Sequence, residues 1–160
     1  MEQTKKFPSE IIDLPTKGLL YPKDSPLSSG KIEMKYMTAK EEDILTNQNY
    51  IARGVVIDKL VQSLIVDKNI KYSDLFSGDK NALLVAARIL GYGEIYEFRY
   101  GGEKVSVDLS KLNAKPLNEE LLKDGKNEFT YTLPTLKKTL TFKFLTHQDE
   151  IDIDAELKGL

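Results

Sequence analysis

From Lys31 to Met37 the chain alternates, with Ile32, Met34 and Tyr36 set against Lys31, Glu33 and Lys35. A period of two predicts a half-buried strand. Thr38 follows, with Glu41 three places on. A Thr at an N-cap and a Glu three residues later can satisfy two orphan backbone donors between them, so the pattern predicts a helix from Ala39 to about Thr46. Glu42 and Asp43 add negative charge at the positive end of that helix dipole. The pattern returns from Thr139 to Ile151: Leu140, Phe142 and Phe144 alternate with Thr139, Thr141 and Lys143, and Thr146 stands three residues before Asp149. The match between residues 34–38 and 142–146 is too short to establish a duplication.

Between these units the apolar period lengthens. Val56 or Ile57, Leu60, Val61, Leu64 and Ile65 recur at helical spacing and predict a second helix from about Ala52 to Val66, with Gly54 weakening its first turn. Residues 67–76 hold Ile70, Tyr72, Leu75 and Phe76, more apolar than a solvated loop, and are expected to pack. A third helix is predicted from about Asp79 to Leu90, capped by Ser77 or Asp79. Leu83, Leu84, Ala86, Ala87 and Leu90 form its buried stripe, and Gly91 ends it in the left-handed conformation. Arg88, inside this apolar stretch, is expected to reach water or a carboxylate.

After Gly93 the period is two again. Ile95–Tyr100 and Lys104–Leu109 predict a hairpin turning at Gly101-Gly102. Residues 110–125 contain Pro116 and are expected to hold a short helix around Asn118 to Lys123. Asn127–Leu133 and Thr139–Leu145 predict a second hairpin with Pro134 at its turn. The closing acidic DEIDIDAELKGL reads as a short helix or a tail. Ahead of all this, residues 1–30 carry Pro8, Pro15, Pro22 and Pro26, each of which removes a backbone donor and favours extended geometry. The expectation is an α+β fold: an extended N-terminal arm over 1–30, then one domain over 31–160. That domain holds a strand–capped-helix unit, two further helices, two antiparallel hairpins and a short C-terminal helix or tail. Within the arm, Leu19, Leu20, Tyr21 and Pro22 are open to two readings. They fold back onto the domain, or they anchor an extended arm on another protein.

Composition narrows the function classes. A chain of 160 residues is the size of one domain, and 41% apolar with 30% charged residues is an ordinary globular balance. A net charge of −2 supplies no field for nucleic acid or an anionic membrane. Absence of Cys excludes disulfides and thiolate metal sites. The start, MEQTKKFPSEII, lacks the apolar core of a signal peptide, and no apolar run approaches the ~20 residues that span a bilayer. A protein of the cytoplasm is expected.

Candidate chemistry is sparse. His147 is the single histidine, expected as a solvated residue in the first turn of the last helix. Ser77 and Lys80 have a Ser-x-x-Lys spacing, better explained by a helix start. Gly91-Tyr-Gly93 leads into a strand, whereas a phosphate loop leads into a helix. Glu150, Asp152 and Asp154 lack the Gly and the spacing of a calcium loop. No basic cluster interleaves with aromatics. No catalytic, cofactor-binding or metal-ligating residue is therefore assigned, and the chain is not expected to be an enzyme. A closed cleft gathering Arg88, His147 and two carboxylates would reverse that expectation.

LPTKGLLYP (Leu14–Pro22), MTAKEEDIL (Met37–Leu45), GDKNALLVAARILGYGEIYEF (Gly78–Phe98) and VDLSKL (Val107–Leu112), in that order, resemble the T-even-type phage baseplate protein family of contractile tails. The resemblance covers about residues 12 to 146. It implies a virion structural protein of the tail baseplate hub, assembled in the host cytoplasm. Such a protein would work through contacts with other baseplate or tail proteins or with copies of itself, without cofactors, nucleic acid or membrane. An assembly chaperone that leaves the mature particle shares the same features. Many relatives carry a Cys-Pro-x-Cys knuckle where this chain has Tyr100-Gly-Gly-Glu103, so no metal role carries over. Relatives also tend to continue past the last strand with a longer helical segment, whose partner contacts are not carried over to this chain.

Overall fold

A computed structural model describes residues 8–122 and 125–159. The far end of the predicted turn at Lys123, and Leu160, lie outside the described residues. Among the described residues the fold is α+β, with five α-helices and three two-stranded antiparallel sheets. The strand–helix unit forms as the pattern predicts: β2 is Lys31–Lys35 and α1 is Ala39–Thr46. Ile32 and Met34 point inward and are 1% and 0% exposed. Thr38 N–H donates to Glu41 Oε2 at 3.0 Å and the Thr38 hydroxyl donates to the same oxygen at 2.6 Å.

Residues 8–30, expected as an arm apart from a 31–160 domain, belong to the domain instead. Strand β1 (Ser9–Asp13) pairs antiparallel with β2, Ile12 opposite Ile32. Beyond it the chain loops through residues 14–30 and seats Leu14, Leu20, Tyr21 and Leu27 in the core. The loop closes on itself at two glycines with positive φ. A Cβ on Gly18 would lie 2.4 Å from the Ser28 carbonyl oxygen, and one on Gly30 would lie 2.6 Å from the Lys17 carbonyl carbon. The four prolines did predict extended backbone, but the apolar residues between them outweigh that signal. Burying a Leu side chain contributes roughly 1.5–3 kcal/mol, so the apolar residues seated here offset part of the cost of ordering the loop.

The expected second helix is two. Asn47 caps α2 (Gln48–Ala52), accepting from Asn49 and Tyr50 N–H. Gly54, at φ +67°, breaks the run, and α3 spans Val56–Leu64. Leu60, Val61, Leu64 and Ile65 are buried as the spacing predicts, whereas Ile57 is exposed. Residues 67–76 do pack: Ile70, Tyr72, Leu75 and Phe76 are all buried around a short helical turn at Tyr72–Asp74. Helix α4 runs Ser77–Tyr92, longer than predicted at both ends. Gly91 is not its left-handed terminus. The helix ends instead at Gly93, whose φ of +82° with ψ of 173° is open to glycine but is not left-handed helical, while Gly91 lies against Met37, whose sulfur would sit 2.3 Å from an added Cβ.

Strands β3 (Ile95–Tyr100) and β4 (Glu103–Asp108) form the first predicted hairpin, with Gly101 and Gly102 both at positive φ as a two-residue turn demands. Strands β5 (Phe129–Thr132) and β6 (Thr139–Phe142) form the second. Its loop starts at Pro134 and closes through Lys137 at φ +53°. A short helical turn, Glu119–Leu122, precedes it and drops Leu122 into the core. The closing acidic segment is a helix, α5 (His147–Lys158), with Thr146 and Asp149 satisfying each other's backbone N–H groups at its start.

Candidate interaction surfaces

The residues expected to anchor a partner are not a surface. Leu20 and Tyr21 are buried in the chain's own core, Leu19 packs against that core half-buried, and only Pro22 is exposed. Tyr21 also has a polar task there. Its hydroxyl donates to Asp79 Oδ2 at 2.7 Å and accepts from Phe76 N–H at 3.1 Å, with the two rings 4.8 Å apart. Asp79 is fully buried and also takes the Thr16 N–H at 3.0 Å and the Thr16 hydroxyl at 2.7 Å. Burial pushes the Tyr21 hydroxyl up from its ordinary range; the Phe76 N–H pulls the other way, and the adjacent Asp79 carboxylate adds to the upward push. Asp79 is thus a clamp between the N-terminal loop and α4, not a helix cap. Helical spacing carried a signal for it, since Asp79 stands four, seven and eight residues before Leu83, Ala86 and Ala87, on the buried stripe.

His147 is not a solvated residue. It is wedged where α5 meets α3 and α4, with its side chain 14% exposed. Its Nε2 lies 3.0 Å from Asp58 Oδ2 without hydrogen-bond alignment, and its Nδ1 lies 3.3 Å from Glu150 Oε2 and 3.4 Å from Lys80 Nζ. The ring meets Tyr72 edge-on at 4.8 Å. Ser77 donates to Glu150 Oε1 at 2.6 Å, and Lys80 pairs with the other oxygen. These donors, Lys80 foremost, hold the Glu150 carboxyl down at about 2. The Ser77 and Lys80 spacing therefore serves to dock α5. Two backbone bonds assist, from Ser77 N–H to the Leu145 carbonyl at 3.2 Å and from His147 N–H to the Leu75 carbonyl at 2.9 Å.

The constellation that would have revived an enzyme is only half assembled. His147 does meet two carboxylates, beside an open groove of about 410 Å³, but Arg88 sits at the other end of α4. Its guanidinium donates to the Gly93 carbonyl at 3.1 Å and lies 5.1 and 5.5 Å from the ring centres of Tyr92 and Tyr96. It caps the helix and stacks on aromatics, and among the described residues no carboxylate pairs with it. Among the described residues no group of three or more His, Asp or Glu is placed to hold a metal ion. No helix there is long and apolar enough to cross a membrane.

Several large apolar residues remain exposed on the hairpins. In β3–β4 the cross-strand register puts Tyr96, Phe98 and Tyr100 on one face with Val107 and Val105, and Glu97 with Lys104 on the other, where they pair at 2.8 Å. Tyr100 is 77% exposed. In β5–β6 the division is sharper. Phe129, Phe142, Tyr131 and Leu140 share one face; Thr130, Thr141, Thr132 and Thr139 share the other. Phe129 stacks with Phe142 at 6.0 Å and meets Phe144 edge-on at 5.2 Å, yet Tyr131 and Phe142 are each 55% exposed. Leu117, Leu121 and these aromatics border an open groove of about 520 Å³. An isolated two-stranded hairpin is marginal in water, and its stability depends on something packing on its apolar face. The two hairpin faces are the candidate functional surface.

Comparison with protein-family models, with curated proteins and with solved structures finds no match to this chain.

Proposed function

We propose that this chain is a structural protein of a contractile phage tail, a component of the baseplate hub in the virion, and that it works through protein–protein contacts rather than catalysis. The observation that carries the interaction reading is the pair of hairpins whose aromatic faces leave Tyr96, Tyr100, Tyr131 and Phe142 exposed. Exposed aromatic clusters of this kind mark protein–protein interfaces, where large rings carry much of the binding energy. The ordered resemblance of residues 14–22, 37–45, 78–98 and 107–112 to the baseplate family supplies the tail setting. The contact surface moves from Leu19–Pro22 to the hairpins, because Leu20 and Tyr21 serve the fold.

The test is incorporation. Tyr131→Ser with Phe142→Ser removes two exposed rings without entering the core. The double variant is expected to stay folded by circular dichroism and to drop out of purified tails by quantitative mass spectrometry, where the parent is stoichiometric. A parent chain required for assembly but absent from finished particles would make this an assembly chaperone and overturn the virion reading.

A further inference from the structure

The β5–β6 hairpin and helix α5 of one chain meet at the Lys143–Asp149 ion pair, but the apolar face of the hairpin and the helix from Ile151 onward are complementary surfaces left exposed. The hairpin segment carries Lys126, Lys137 and Lys138 against Glu128, while its Lys143 is already paired with Asp149 of the same chain at 2.8 Å. Asp149 and Glu150 are paired within the chain, with Lys143 and Lys80, and beyond them helix α5 carries Asp152, Asp154 and Glu156 against Lys158. Its polar start is docked through His147 and Glu150, but every described residue from Ile151 onward is exposed. At about 100° per residue Ile153 and Leu157 stack on one side, flanked by Asp154 and Glu156. That is an aliphatic stripe with acidic borders. The hairpin offers the reverse, an aromatic face with a basic loop at Lys137 and Lys138. The lengths agree: Ile151–Lys158 spans about 12 Å as helix, and each hairpin strand spans about 13 Å.

We infer that the occupant of the β5–β6 face is α5 of a second copy of this chain. Each copy then offers one hairpin and one helix, so the contact joins unlike surfaces and repeats head to tail. It closes into a ring where the rotation between copies permits. This inference rests on the reading of the hairpin faces as partner surfaces, and it names the partner. Charge complementarity sets the register, and apolar contact between the Ile153–Leu157 stripe and Tyr131, Leu140 and Phe142 supplies the attraction.

Light scattering of the full chain across a concentration series tests it. The parent is expected to gain mass with concentration and to lose it as salt rises. Two double variants reverse the charges, Lys137→Glu with Lys138→Glu and Asp154→Lys with Glu156→Lys. All four positions are exposed, so both variants should fold. Each alone should weaken association about tenfold or more, and mixing the two in equal amounts should restore it. A parent that stays monomeric throughout, or a mixture that shows no restoration, overturns the inference. A chain that stays monomeric yet enters virions overturns this contact alone. One that self-associates but never enters tail assembly overturns the phage reading alone.

Discussion

At the scale of single residues, two glycines make opposite demands. Gly18 has positive φ, and a Cβ there would press on the backbone of Ser28 and Gly30. Gly91 is helical, and its Cβ would meet only the Met37 side chain, which can swing away. Gly18→Ala should therefore cost about 2 kcal/mol or more. In Gly91→Ala the helix gains about 1 kcal/mol of propensity, roughly cancelling the repacking of Met37. Urea unfolding of the two variants would separate them; equal costs would contradict this account. Tyr21→Phe leaves the Phe76 N–H without an acceptor and takes one donor from buried Asp79. A loss of about 2 kcal/mol is expected by the same measurement. The sequence placed Tyr21 among apolar neighbours correctly but could not say whose core it enters. Nothing local to residues 14–22 reveals a carboxylate that lies 58 positions away in the chain from Tyr21.

At the scale of elements, α1 is the best determined, and its start is pH-sensitive. Burial alone would raise the Glu41 carboxyl, but Lys35, Ser63 and Thr38 outweigh it and hold the group at about 2. A carboxyl depressed in the folded state contributes stability that is present above its unfolded value of about 4.5 and is lost as pH falls toward about 2. Chemical denaturation between pH 6 and pH 2.5 should show a loss of roughly 2–3 kcal/mol from this group, and Glu41→Gln should remove that part of the slope. The cap, both hairpins and the stripe of α3 were legible because each is written in local spacing. The split at Gly54 was only half legible, since a glycine weakens a helix without saying where it breaks. The docked state of His147 was not legible at all. Asp58 lies on a different helix, and a capping position by itself predicts exposure. Equally hidden was the exposure of both hairpins, because alternation marks an apolar face but not whether the same chain covers it.

At the scale of the whole molecule, the buried residues gather in residues 14–87 plus Leu122; of the hairpins only Phe129 packs against that core, and α5 from Ile151 onward is exposed. Stability and surface should therefore separate. Truncation after Glu150 keeps the Lys80 and Ser77 contacts and removes no buried side chain, so the unfolding midpoint should move by less than the effect of Tyr21→Phe. The same truncation should abolish self-association. A truncated chain that unfolds readily would place α5 in the core and not on the surface. The Asp79 clamp has one more consequence, for synthesis. Thr16 and Asp79 are 63 positions apart, so at about 5–20 residues per second the ribosome leaves Leu14, Thr16, Leu20 and Tyr21 waiting about 3–12 s for the acid that will fasten them. During that interval the newborn polypeptide holds a greasy stretch whose polar fastening is still missing, exposed apolar surface of the sort chaperones exist to cover, and pausing translation before codon 79 should lengthen chaperone occupancy.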